Sequence, residues 1–185
     1  MPVNGGELNQ STGVIIRTKV AEALDDRARK LGRDLTEEDL ERATWWLYQR
    51  GKTVTGVQYS TAVETIHRIG RQVASLMESW DMILSPVLAE PPARLGKLDM
   101  MSDDPGEYFE ILGRYGPFTN LANVTGQPSM SVPLFWSDNG LPIGVQFSAR
   151  YGSEVSLFRL AHQLEQTRSW GPPSHLPQFP LAGDH

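Results

Sequence analysis

The stretch FTNLANVTGQPSMSVP, residues 118–133, is followed after a short gap by GLPIGVQF, residues 140–147. Its first half has a helical pattern that ends at Gly126, and apolar residues bounded by proline and glycine then indicate buried strands. Asn139-Gly140 is a strong turn signal between two such strands. The predicted elements are a short helix over residues 118–124 and strands over residues 129–135 and 143–149.

Proline usage separates the chain into two halves of different character. Only Pro2 precedes position 86, whereas eight prolines fall between positions 86 and 142. Because proline lacks the amide hydrogen that a helix interior needs, the first half can be mainly helical and the second cannot. The sequence predicts helices over residues 17–31, 36–50, 57–80, 107–114 and from about 153 to before 170, and a strand over residues 82–86.

These elements make an α/β protein with a mixed β-sheet of about three strands. Three strands are few for 185 residues, and such a sheet keeps two free edges beside helices rich in apolar side chains. The sequence therefore predicts either association with another surface or an origin in a larger sheet. Residues 1–16, which are polar, and residues 171–185, which are rich in proline, are expected to be extended or flexible tails.

Composition excludes several classes of function. The chain has 17 basic and 22 acidic residues, a net charge of −5 and no cysteine. Disulfide scaffolds, cysteine-based zinc sites and thiol catalysis are therefore excluded, and the acidic balance argues against a nucleic-acid partner. The uninterrupted apolar runs are too short for a signal peptide or a membrane span, so we expect a cytoplasmic protein without a membrane partner.

Local motifs provide no self-sufficient active site. The chain contains no Gly-x-Ser-x-Gly, no Ser-x-x-Lys and no Ser-Ser pair, which are arrangements that activate a serine nucleophile. Its four histidines are too scattered to predict a metal site. From its residues alone, the chain is assigned no catalytic residue and no metal.

Two polar residues stand out within the predicted strands. Gln146 lies in the middle of an apolar strand, where an unpaired side-chain amide costs about 1–3 kcal/mol. We expect it to bridge backbone groups rather than to act in catalysis. Ser85 ends the strand over residues 82–86, where a pocket can lie, and is the candidate substrate-binding residue.

The opening stretch and its surroundings resemble the C-terminal part of the amidase signature family. Upstream, DMILSP from Asp81 is similar to the family's D-x-L-L-T-P-T strand, with Ser85 and Val87 in place of the two threonines. The resemblance covers roughly residues 20–170, and residues 31–71 are similar to the aminohexanoate-cyclic-dimer hydrolases.

The resemblance implies a fold and a chemistry. The chain, residues 1–185, would be a single partial domain, the C-terminal portion of the amidase-signature fold. The family hydrolyses small-molecule amides without a cofactor: a neutral lysine takes a proton through a bridging cis-serine, and a second serine attacks the carbonyl. That triad belongs to a Lys-Asp step and a Gly/Ser-rich loop, neither of which occurs here.

Three hypotheses follow. In the first, the chain is the C-terminal segment of an amidase and is inactive alone. In the second, it is a half-enzyme that assembles with a separate N-terminal amidase half. In the third, it is a non-catalytic interaction module that forms a homodimer through its open sheet.

Overall fold

The computed structural model describes residues 3–167, 170 and 171 and shows an α/β fold. Three strands form one antiparallel sheet in the order β1-β3-β2. In chain order the elements are α1 (Gly5–Leu31), a 3₁₀ turn (Glu37–Asp39), α2 (Arg42–Lys52), α3 (Gly56–Leu76), β1 (Met82–Pro86), α4 (Pro105–Tyr115), α5 (Asn120–Thr125), β2 (Ser129–Trp136), β3 (Pro142–Ala149) and α6 (Glu154–Thr167).

The sheet lies between two apolar clusters. Val145, Phe147 and Ala149 of β3 pack with Leu157 of α6 on one face. On the other side, Ile83 of β1 packs against a cluster that joins α1 to α3. That cluster consists of Leu8, Ile69, Val73 and Met77. Because side chains alternate along a strand, Gln146 and Ser148 are on the face of β3 opposite to α6.

The N-terminal tail prediction is wrong for most of its length. Residues 1–16 were expected to be extended, but α1 begins at Gly5, where the Asn4 side chain accepts hydrogen bonds from the backbone N–H groups of Gly6 and Glu7. Although the sequence of this segment is mostly polar, α1 has one buried face, which includes Leu8 and Val14. Tertiary packing against α2 and α3 thus overrides a weak local helix propensity. Residues 172–185 of the predicted C-terminal tail lie outside the described residues.

Thr36 starts a 3₁₀ turn and not the predicted helix over residues 36–50. The Asp39 carboxylate accepts hydrogen bonds from the Thr36 N–H at 2.9 Å and from the Arg33 guanidinium at 2.6 Å, which closes the turn locally. Leu40 is then extended, with φ −140° and ψ 157°. The helix begins only at Arg42, where the Ala43 N–H donates to the Met100 carbonyl.

The predicted long helix is shorter than expected. Thr55 and Gln58 form a capping box at the start of α3, and the helix ends at Leu76. Trp80 was predicted to belong to its apolar stripe, but it follows the helix and is 62% exposed. The buried stripe therefore stops at Met77.

The strands agree closely with their predictions. β1 has the predicted bounds, and β2 and β3 each extend by one residue. Gly140 has φ 77° in the connecting loop, a left-handed conformation that glycine adopts without strain. The loop is closed by a hydrogen bond of 2.8 Å from the Ser137 N–H to the Leu141 carbonyl.

An ion-pair cluster links α1 to α2 and makes stability depend on pH. The Asp25 carboxylate accepts hydrogen bonds from Lys52 Nζ at 2.5 Å and from the Tyr48 hydroxyl at 2.7 Å, and these bonds lower the pKa of Asp25. The folded-state pKa of Asp25 thus lies below its unfolded-state value of about 3.9, so the ionised carboxylate stabilises the fold at pH values above 3.9. This stabilisation is lost as the pH falls through the folded-state pKa.

We therefore expect Asp25→Asn to lower the free energy of unfolding at pH 7 by up to about 1 kcal/mol, the scale of a partly exposed pair. The difference from the parent protein should shrink as the pH falls below 4, because Asp25 becomes protonated in both states of the parent. Urea unfolding at pH 7 and at acid pH measures this. A loss of the same size at both pH values would contradict the expected role of the charge.

Candidate functional site

Ser85 lies beside a cavity of about 220 Å³. Ile83, Leu84 and Ser85 all line it, although successive side chains of a strand point to opposite faces. Ile83 and Ser85 share one face of the sheet with their cross-strand partners Ser148 and Gln146, and Leu84 between them is 65% exposed. The remaining lining residues are Val3, Gly5, Leu8, Pro117, Phe118, Leu121, Ala122, Gln146 and Ser148.

Gln146 brings a buried amide to the cavity. It is paired with Ser85 across β1 and β3 and is 7% exposed. Its Nε2 donates a hydrogen bond of 3.3 Å to the Ser148 hydroxyl, which in turn bonds the Ser129 hydroxyl at 2.7 Å. The sequence predicted that this amide bridges backbone groups. Within the described residues it contacts a hydroxyl instead, so that prediction is wrong about the partner.

Helix α5 is fixed over the cavity from both ends. At its start, Asn120 Nδ2 donates to Asn9 Oδ1 of α1 at 2.8 Å. After its end, Gln127 Nε2 donates to the Ala149 carbonyl of β3 at 3.0 Å. Gly126 between them has φ 72°, which glycine adopts without strain. These bonds hold Leu121 and Ala122 against the cavity.

Of the residues around this cavity, the sequence singled out Ser85 as the candidate substrate-binding residue and Gln146 as an amide that needs partners, and the binding role of Ser85 stays a prediction. Ser148 and the α5 side of the wall carry no local motif, and their convergence depends on strand register. The useful signal was the alternation of Gln146 and Ser148 with apolar residues in β3, which places both on one face.

The lysines of the chain are unsuited to act as a neutral general base. All four are exposed and bonded to a carboxylate or a phenol. The pairs are Lys19–Glu22, Lys30–Asp26, Lys52–Asp25 and Lys97–Tyr115. These hydrogen bonds raise the pKa of Lys19, Lys52 and Lys97, which is opposite to the shift that a neutral lysine needs at pH 7.

Comparison with known proteins gives the family. A model of the amidase family matches residues 5–158. The chain belongs to the amidase family. Its relatives include a 6-aminohexanoate-cyclic-dimer hydrolase from a Pseudomonas strain, which is 32% identical over 157 residues. A putative amidase, AmiC, of Mycobacterium leprae is 36% identical over 112 residues, which are 59% of this chain and 23% of the relative.

Solved structures agree with this assignment. The structure of a 6-aminohexanoate cyclic dimer hydrolase superposes with a TM-score of 0.77 and 29% identity over 88% of this chain. A bacterial aryl acylamidase of the amidase signature family has the same fold, with a TM-score of 0.68 at 20% identity over 91% of this chain and 35% of that one. The resemblance predicted from the opening stretch is therefore confirmed, and with it the fold class.

The match covers only part of the amidase relatives. The alignment with the Pseudomonas hydrolase takes in 82% of this chain and 32% of the relative, and the superposed hydrolase structure is covered over 35% of its length. This chain thus spans about a quarter to a third of the length of these relatives. In the described part of the chain, no helix has both the length and the hydropathy that crossing a bilayer requires.

Proposed function

We propose that this chain is the C-terminal part of an amidase that hydrolyses carboxylic amide C–N bonds. The observation that carries the proposal is the match of the amidase-family model to residues 5–158. The aligned part of the chain corresponds to only 32% of the length of the Pseudomonas hydrolase. The cavity beside β1 supports the proposal, because Ser85 and Gln146 place polar groups next to the edge strand of the sheet.

In this proposal the chain supplies one wall of the substrate site and not the reacting groups. The mechanism implied by the family resemblance needs a serine nucleophile, a bridging serine and a neutral lysine. The sequence has no Gly/Ser-rich loop to carry the serines, and its lysines are paired with acids or a phenol. The triad would therefore come from a complementary N-terminal segment, while Ser85 binds the substrate.

The purified chain is expected to show no hydrolysis of aryl or alkyl amides above the uncatalysed rate. Release of p-nitroaniline from acyl p-nitroanilides measures this, with the bacterial aryl acylamidase as the positive control. Turnover by the chain alone that a serine-directed inhibitor abolishes would overturn the proposal.

The open sheet supports a second form of the proposal, in which the chain assembles with a separate N-terminal amidase half. β2 is a poor edge for pairing, because Pro133 lacks an N–H and the register is irregular between Val132 and Phe135. The β1 edge presents the exposed Leu84 beside the cavity. We place the partner on β1 for this reason.

Mixing the chain with the N-terminal two-thirds of a related hydrolase tests the assembly. Co-elution and gained amidase activity would support the half-enzyme. Sedimentation of the chain alone distinguishes the half-enzyme from the interaction-module hypothesis, which requires a homodimer through the open sheet.

A cytoplasmic location stays a prediction.

A further inference from the structure

The loop between β2 and β3 contains an Asn-Gly step that has no part in the proposed function. Asn139 is exposed on this loop, and Gly140 follows it with φ 77°. The backbone nitrogen after an asparagine can attack the side-chain amide carbon, and glycine leaves that nitrogen unshielded because it has no Cβ. The step is therefore open to covalent change without an enzyme.

Asn139 is weakly held in the loop. Neither its backbone nor its side chain has a hydrogen bond to the residues that the structure describes. In the described part of the chain one hydrogen bond restrains the attacking nitrogen, because the Gly140 N–H donates to the Ser137 carbonyl at 2.9 Å. This bond lies in an exposed turn, so local opening frees the nitrogen without breaking the ladder between β2 and β3.

A second Asn-Gly step, which begins at Asn4, is held more firmly. The Asn4 side-chain oxygen accepts hydrogen bonds from the N–H groups of Gly6 and Glu7 at 3.0 and 3.3 Å. Its backbone carbonyl accepts a third from the Leu8 N–H at 3.0 Å, and the preceding Val3 packs against the cluster that joins α1 to α3. Rotating Asn4 towards the following nitrogen would break these three bonds, so the helix cap opposes the same reaction here.

We propose that Asn139 is a site of spontaneous deamidation through a succinimide. The Gly140 nitrogen loses its proton and bonds to the side-chain amide carbon of Asn139, while the bond from that carbon to the amide nitrogen breaks. The amide nitrogen leaves as ammonia and takes up the proton. One water molecule then opens the ring: addition at the side-chain carbon gives aspartate, and addition at the backbone carbonyl carbon gives isoaspartate.

Either product changes the loop end of the hairpin. The new carboxylate places a negative charge next to Asp138, in a chain whose net charge is already −5. Isoaspartate also lengthens the loop backbone by one carbon atom. Because a hydrogen bond of 2.8 Å from the Ser137 N–H to the Leu141 carbonyl closes this loop, the longer backbone has to be accommodated at that closure.

Isotope labelling of the intact chain tests the site. The folded chain is kept in mildly alkaline buffer made with ¹⁸O-enriched water, digested with trypsin in ordinary water and analysed by mass spectrometry. Cleavage after arginine separates the two Asn-Gly steps into residues 1–17 and 115–150. We expect ¹⁸O to enter position 139 about tenfold or more faster than position 4, the effect of two further hydrogen bonds. Equal rates, or faster uptake at position 4, would overturn the proposal.

Three controls separate the fold from the local sequence. In urea both the helix cap and the turn are lost, so the two steps should convert at similar rates; the same difference in urea would contradict the structural cause. Asn123 is also exposed, but the branched side chain of Val124 shields the next nitrogen, so it should take up no ¹⁸O. Asn139→Gln lengthens the side chain at an exposed position and should abolish uptake there. Uptake that persists in this variant, or that is equal at Asn123, would refute the succinimide route.

Discussion

Gly51→Ala should lower the free energy of unfolding by about 3 kcal/mol or more, because the added methyl group has no room. A Cβ placed on Gly51 lies 2.0 Å from the carbonyl oxygen of Arg17 and 2.7 Å from the Cβ of Ala21. Both neighbours belong to α1, and the first is backbone, so no side-chain rotation can relieve the clash. The helices α1 and α2 must therefore move apart.

Gly70→Ala is the matched control for this substitution. Gly70 is also inside a helix, α3, but a Cβ placed on it meets no atom of the described residues within 4 Å beyond its chain neighbours and its own helix backbone. Since alanine favours the helix over glycine, this variant should be stabilised by roughly 0.5–1 kcal/mol. Urea unfolding of both variants gives the comparison. A Gly51→Ala protein as stable as the parent would show that α1 and α2 do not approach this closely.

Gly51 also shows why sequence patterns did not give every helix boundary. The sequence indicated a helix that stops at Gly51, because glycine is typical of helix ends. In the structure α2 continues to Lys52, and Gly51 is needed for the close approach of Arg17 from α1. That contact joins two residues far apart in the chain, so no local pattern could report it.

The strands were easier to predict because their signals are local. Pro86 ends β1, and Asn139-Gly140 lies in the loop between β2 and β3, so proline and glycine fix the bounds without knowledge of the fold. Helix α1 is the opposite case. Its first turns are polar, and Leu8 becomes recognisable as a core residue only when α3 lies against it.

The candidate site was predictable only in part for a similar reason. Ser85 is a candidate substrate-binding residue because it lies at the end of an apolar strand, which is a property of its own segment. The role of Gln146 depends on its neighbours on two other strands, since Ser85 and Ser131 flank it and Ser148 receives its hydrogen bond. Polar groups within an apolar strand therefore mark a candidate site but do not show which neighbours surround it.

The cluster that supports the cavity should be sensitive to a single truncation. Ile69 of α3 is 0% exposed and packs in the cluster with Leu8, while Ile83 and Leu121 pack against the same cluster and also line the cavity. Ile69→Ala removes buried carbon atoms and leaves a void, and we expect the free energy of unfolding to fall by about 2–5 kcal/mol. Chemical unfolding monitored by tryptophan fluorescence measures the loss.

Ile16→Ala is the control, because Ile16 lies on helix α1, is 48% exposed and undergoes the same chemical change. Its effect should stay within about 0.5 kcal/mol, as for other surface positions. Equal losses of stability in the two variants would contradict the placement of Ile69 in the buried cluster between α1 and α3.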